Sequence, residues 1–200
     1  MNKDDSGWDL GVITGLGITV ASAVLLLAAF CIFKGTAPSD TTIALHSTVC
    51  EITGDIDMAY SLTIPYTYER SYDLDNVDVM IASDHIIAMG AGCKTFVKPL
   101  TARVYPAKCI EEQHVLWNDT AGMREYLNRT YGATGTDELP LDDHSFKKFR
   151  GIMEKAAESM IMDPLKISGK DGLTIEKTFI HVRDPGQNIR REGFVFISTR

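Results

Sequence analysis

Several signatures are missing from this chain, and each absence removes a class of function. No C-x-x-C occurs, which leaves a dithiol redox pair or a zinc ribbon without support. There is no G-x-S-x-G, no phosphate-cradling G-x-x-x-x-G-K-[ST] and no H-E-x-x-H. The local signatures of serine hydrolases, phosphate-cradling loops and zinc peptidases are therefore lacking. Cysteine is scarce, at four in 200 residues. Basic residues are outnumbered, 20 Lys and Arg against 27 Asp and Glu, for a net charge of −7. That balance repels phosphate backbones and anionic headgroups, so nucleic acid is not expected as a partner. Between Leu10 and Phe33 charge of either sign is absent altogether.

That uncharged run is the dominant feature of the sequence. As a helix it would measure roughly 36 Å, enough to cross a hydrocarbon core of about 30 Å with some tilt. A cleaved secretory signal has a basic start and a shorter apolar core. Here the start is Met1-Asn2-Lys3-Asp4-Asp5, and Phe30 precedes Cys31 where a lipoprotein site needs a small residue. The run is read as an uncleaved anchor in contact with membrane lipid. Gly11, Gly15, Thr19 and Ala23 recur every four residues, the small-xxx-small spacing through which membrane helices self-associate. The same residue types are also common in any membrane helix. The flanking charge is too even to set orientation, so the default is adopted, with the C-terminal domain outside.

The expected organisation is a tail over 1–9, a transmembrane anchor over 10–33, a linker over 34–40 and one domain over 41–200. The domain is long enough for a real core. Thr42–Val49 and Ser61–Ile64 partly alternate and read as strands. Val77–Ile81 and His85–Met89 read as a hairpin, and Cys93–Val97 with Thr101–Tyr105 as a second pair. Tyr60, Tyr66, Tyr68 and Tyr72 fall in this β-rich part; strand propensity accounts for them more simply than a ligand-stacking role. Asp119 or Thr120 is set to cap a short helix that buries Met123, Tyr126 and Leu127 and stops near Gly132. Asp142 or Asp143 begins the clearest amphipathic helix, with Phe146, Phe149, Met153, Ala156 or Ala157, and Met160 on one face. Strands over 173–182 and 193–197 close the chain around Asp184-Pro185-Gly186. The fold class expected is α+β: one N-terminal transmembrane helix, then a single domain of antiparallel strands with a packed amphipathic helix.

Candidate chemistry is sparse. With Cys31 in the anchor, Cys50, Cys93 and Cys109 allow one disulfide in the domain, and Cys93–Cys109 is the most local pairing. A thiol nucleophile would pair Cys93 with His85 or Cys109 with His114, against the simpler reading of ordinary strand residues. Asp73, Asp75, Asp78 and Asp84 resemble a calcium loop only loosely, since Asp78 stands where the turn needs glycine. Asp55 and Asp57 form a comparable pair, and solvated turn carboxylates explain both groups. His144 beside Asp142 and Asp143 reads as a helix-start cluster. Asn118-Asp119-Thr120 and Asn128-Arg129-Thr130 have the glycosylation spacing. No cofactor, metal or catalytic set is assigned.

The order of features resembles a bacterial family catalogued as domain of unknown function 4230. The likeness rests on an N-terminal apolar helix, a β-rich middle with Tyr72-Asp73-Leu74 leading into Val77-Asp78-Val79, and a late amphipathic helix with Ala156-Ala157. It implies a bacterial, single-pass, membrane-anchored protein without an assigned activity, and no site residue carries over. Two function classes follow. One is a non-enzymatic binding or scaffolding module at the cell envelope, with self-association or an envelope protein as partner. The other is an anchored hydrolase or thiol enzyme using Cys93 or Cys109 with a histidine.

Overall fold

Leu45, Val49, Ile52, Ile56 and Ala59 recur at alternating steps of four and three, the repeat that lines one face of a helix. All five are buried, and they lie along α1 (Asp40–Ser61). The strand expected over 42–49 is therefore corrected to the opening turns of this helix. Its β-branched residues favoured a strand locally, but the apolar stripe continues in register through Ala59, and packing of that stripe outweighs propensity. The computed structural model describes residues 40–90, 94–169 and 171–199.

After α1 come β1 (Tyr66–Ser71), β2 (Leu74–Ile81), β3 (His85–Gly90), β4 (Lys94–Pro99), β5 (Tyr105–Pro106), β6 (Cys109–Glu111) and β7 (His114–Trp117). Then follow α2 (Thr120–Tyr131), β8 (Leu141–Asp142), α3 (Asp143–Met162), β9 (Leu165–Gly169), β10 (Gly172–Arg183) and β11 (Ile189–Thr199). One sheet has the order β1-β10-β11-β5, with β8 also on β10; a second runs β4-β3-β2-β9; β6 and β7 form a separate hairpin. The hairpin expected over 77–89 is β2–β3. The second expected pair is not formed: β4 joins β3 instead, and residues 101–104 are not strand.

The long β10–β11 hairpin organises the interior. Leu173, Ile175, Val195 and Ile197, all odd-numbered, enter one apolar cluster with α1 and the β2–β3 strands. Ile180, Val182, Phe194 and Phe196, all even-numbered, enter a second cluster with α2 and α3. Successive side chains point to opposite faces of a strand, so a core lies on each face of this hairpin. On β10 the buried parity switches between Lys177 and Thr178, both buried. Phe194-Val195-Phe196-Ile197 is buried without a break, as a strand covered on both faces should be.

Both later helices begin where capping chemistry places them. Asp119 accepts from the Gly122 amide at 2.7 Å and Gly132 ends α2 at φ 68. Asp142 accepts from the Ser145 amide at 2.9 Å and from its hydroxyl at 2.6 Å. The buried face of α3 is Phe146, Phe149, Met153, Ala156, Ala157 and Met160.

The expected fold class needs correction. Three helices are present among the described residues, and the β1-β10-β11-β5 sheet is mixed rather than antiparallel, because β5 runs parallel to β11 and β8 parallel to β10. No helix among them is long and apolar enough to cross a membrane. The 22-residue α1 carries Glu51, Asp55 and Asp57, charges that a hydrocarbon core would penalise. The transmembrane expectation for residues 10–33, with Gly11, Gly15, Thr19 and Ala23, lies outside the described residues.

Candidate binding cleft

Trp117 closes β7 one residue before the Asn118–Asp119 turn that starts α2. Its indole is buried against Tyr126 and Phe149, with ring centroids 5.2 and 6.1 Å away. Burial of an indole usually brings a partner for its N–H. Trp117 Nε1 has none among the described residues. Beside it a cleft of about 480 Å³ opens along the first two turns of α2.

Leu116, Trp117, Gly122 and Tyr126 form the inner wall of this cleft, and Asn118, Asp119, Glu125 and Arg129 line it with polar groups. A side chain at 122 would meet Asp119 Oδ1 at 3.3 Å and Trp117 Cβ at 3.4 Å, so the glycine keeps cap and indole close together. Glu125 and Arg129 lie one turn apart on α2, both exposed, with no ion-pair partner among the described residues. The cleft thus offers a carboxylate and a guanidinium one helical turn apart, together with Trp117 and Tyr126.

The scaffold under the cleft is held firmly. Thr120 donates to Glu176 Oε1 at 2.6 Å, tying the start of α2 to β10. Arg124 donates to Thr178 Oγ1 at 2.9 Å, the Phe179 oxygen at 3.3 Å and the Thr134 oxygen at 3.1 Å. Burial lowers its pKa, opposed by the charge of Glu176.

The residues singled out from sequence lie mostly elsewhere. Cys93 lies outside the described residues. Cys109 is a free thiol at 2% exposure, opposite Trp117 in the β6–β7 ladder. Burial, then the charge of Glu111, pushes that thiol up to about 11, the wrong direction for a nucleophile at neutral pH. His114 is exposed and pairs with Glu111 across the hairpin rather than with Cys109. His85 contacts its neighbour Asp84 at 2.6 Å. Among the described residues no three or more His, Cys, Asp or Glu side chains are grouped to hold a metal. Asp55 is occupied by Tyr72 at 2.6 Å and Arg70 at 3.2 Å, and Asp57 accepts from Thr101 at 3.2 Å. Asp143, next to His144, takes Lys147 at 2.8 Å and Arg190 at 3.3 Å.

Tyr60 belongs to α1, not to a strand, and Tyr66 and Tyr68 stack within β1 at 6.2 Å. The hydroxyl of Tyr72 is held protonated by burial and by its bond to Asp55. Sequence reasoning missed the cleft because it has no motif. The one legible clue is a tryptophan two residues before a helix cap. No family model, curated protein or solved structure matches the chain.

Proposed function

We propose that this chain is a non-enzymatic binding module of the bacterial cell envelope, held at a membrane by its uncharged residues 10–33. Its cleft beside α2 receives a polar segment of an envelope protein. The observation that carries the reading is the unpaired Glu125–Arg129 couple next to the partnerless Trp117 indole. A segment with both an acidic and a basic or amide group would pair with Arg129 and Glu125 at once. Charge complementarity of this kind supplies specificity more than raw affinity.

The test is a crosslinking pulldown of the full-length protein from its native membrane, comparing wild type with the Glu125→Ala/Arg129→Ala double variant. Both substitutions are at exposed helix positions and leave the core intact. The reading expects a reproducible partner with wild type that is lost with the double variant. Recovery of nothing reproducible, or equal recovery by both proteins, contradicts it.

A further inference from the structure

On the other side of the molecule from Cys109's cluster, α1 and β4 bring together three reactive groups that the cleft does not use. Cys50, half-buried on α1, is a free thiol. His46 lies one turn before it, with Nδ1 at 3.7 Å and Nε2 at 3.9 Å from Sγ. Lys98, on β4, reaches across from 48 residues away and donates from Nζ to Sγ at 3.4 Å. The three come from two elements, so the arrangement depends on the fold.

The surroundings define the site further. Phe96, two residues before Lys98 on the same face of β4, meets the His46 ring edge-on at 5.2 Å. Glu51, the nearest carboxylate in sequence, is turned to Arg70 at 2.9 Å. Among the described residues Lys98 has no carboxylate partner, and its ammonium is committed to sulfur. A cation beside sulfur, an imidazole able to take a proton and partial exposure are the features that distinguish reactive cysteines from inert ones. The spacing would also suit two ligands of one metal ion, but an ammonium at the sulfur opposes a cation there.

We propose that Cys50 is a thiol–disulfide exchange site that accepts a small carboxylate-bearing disulfide, with Lys98 and His46 as its positioning residues. In the exchange the Cys50 Sγ–H proton passes to His46 or water, and sulfur attacks one sulfur of the incoming disulfide. A new S–S bond forms as the old one breaks, and the departing thiolate takes up a proton. No net electrons are gained or lost. Lys98 meets the negative charge on the attacking sulfur and, once the mixed disulfide has formed, is free for the carboxylate of the attached group. The site stands apart from the cleft, and neither reading depends on the other.

The test uses the full-length protein with Cys31→Ser and Cys93→Ser, exposed to glutathione disulfide and followed by mass spectrometry with peptide mapping. Cys50 in the folded protein is expected to form the mixed disulfide while Cys109 stays unmodified. Its rate should exceed that of Cys50 in the urea-unfolded chain, where Lys98 is no longer beside it. Lys98→Met should slow the folded rate about fivefold, the size of one partly exposed charge contact, and Lys98→Arg should restore most of it. Continued protection of Cys109 reports that each variant is folded. If Lys98→Met exposes Cys109, the folded-against-unfolded comparison in the wild-type background decides alone. A folded Cys50 that reacts no faster than in the unfolded chain overturns the proposal. So does a folded Lys98→Met variant that reacts at the wild-type rate.

Discussion

The ammonium of Lys177 donates to the main-chain oxygen of Tyr60 at 2.7 Å and lies 4.6 Å above the centre of the same residue's ring. Helix α1 has no basic residue in its own last turn, and Lys177 supplies one from the middle of β10. A cation at that end meets both the unpaired carbonyls and the negative pole of the helix dipole. The contact sits where β10 exchanges one buried face for the other. It ties the end of α1 to the middle of β10.

Burial lowers the pKa of Lys177 below its usual 10.5. The unfolded chain therefore binds this proton more tightly, and stability from this group rises with pH between the depressed value and 10.5. Lys177→Met removes that dependence. In urea titrations the wild type is expected to gain on the variant between pH 8 and pH 10; a constant difference would refute the burial account.

Gly193 on β11 pairs with Phe179, and an added Cβ there would stand 2.9 Å from Lys177 Cε and 3.2 Å from the Phe179 ring. Gly193→Ala is expected to cost about 1–3 kcal/mol through overpacking. A denaturant midpoint unchanged from wild type would show that the lysine can move aside.

Ile175 and Ile180 are both fully buried on β10, in different clusters. Truncation of either to alanine should cost about 2–5 kcal/mol. Because they lie on opposite faces, the double variant should be additive within about 0.5 kcal/mol. Strong coupling between them would mean that the two cores are one.

Asp142 caps α3, and its carboxyl is held below 3.8, first by the Ser145 hydroxyl and next by the Ser145 amide. Asp142→Ala should cost about 1 kcal/mol at neutral pH. The wild-type advantage is present above pH 3.8 and is lost as pH falls through the lower folded value. Thermal melts at pH 7 and at strongly acidic pH measure the closing gap.

Much of the C-terminal half was legible because its signals are local. Asp119 and Gly132 bound α2 as their chemistry requires, and the 146–160 stripe defined α3. The misreadings came where long-range packing decides. Thr42–Val49 favours strand by composition, and only the continuation through Ile52, Ile56 and Ala59 reveals a helix. β5 and β8 have two residues each, too short for any period. Within β10 the alternation breaks at Lys177–Thr178, a change of face that has meaning only once two cores exist. The cleft and the Cys50 cluster both depend on tertiary proximity. Lys98 is 48 positions from the sulfur it contacts.

Photo-crosslinking identifies whether the cleft is occupied in the membrane. A photoreactive residue replaces Asn118 at the rim, or Lys166 on β9 as a control, in full-length protein in its native membrane. The account expects a discrete covalent adduct from position 118 and none from position 166. No adduct from 118, or equal adducts from both positions, would contradict it.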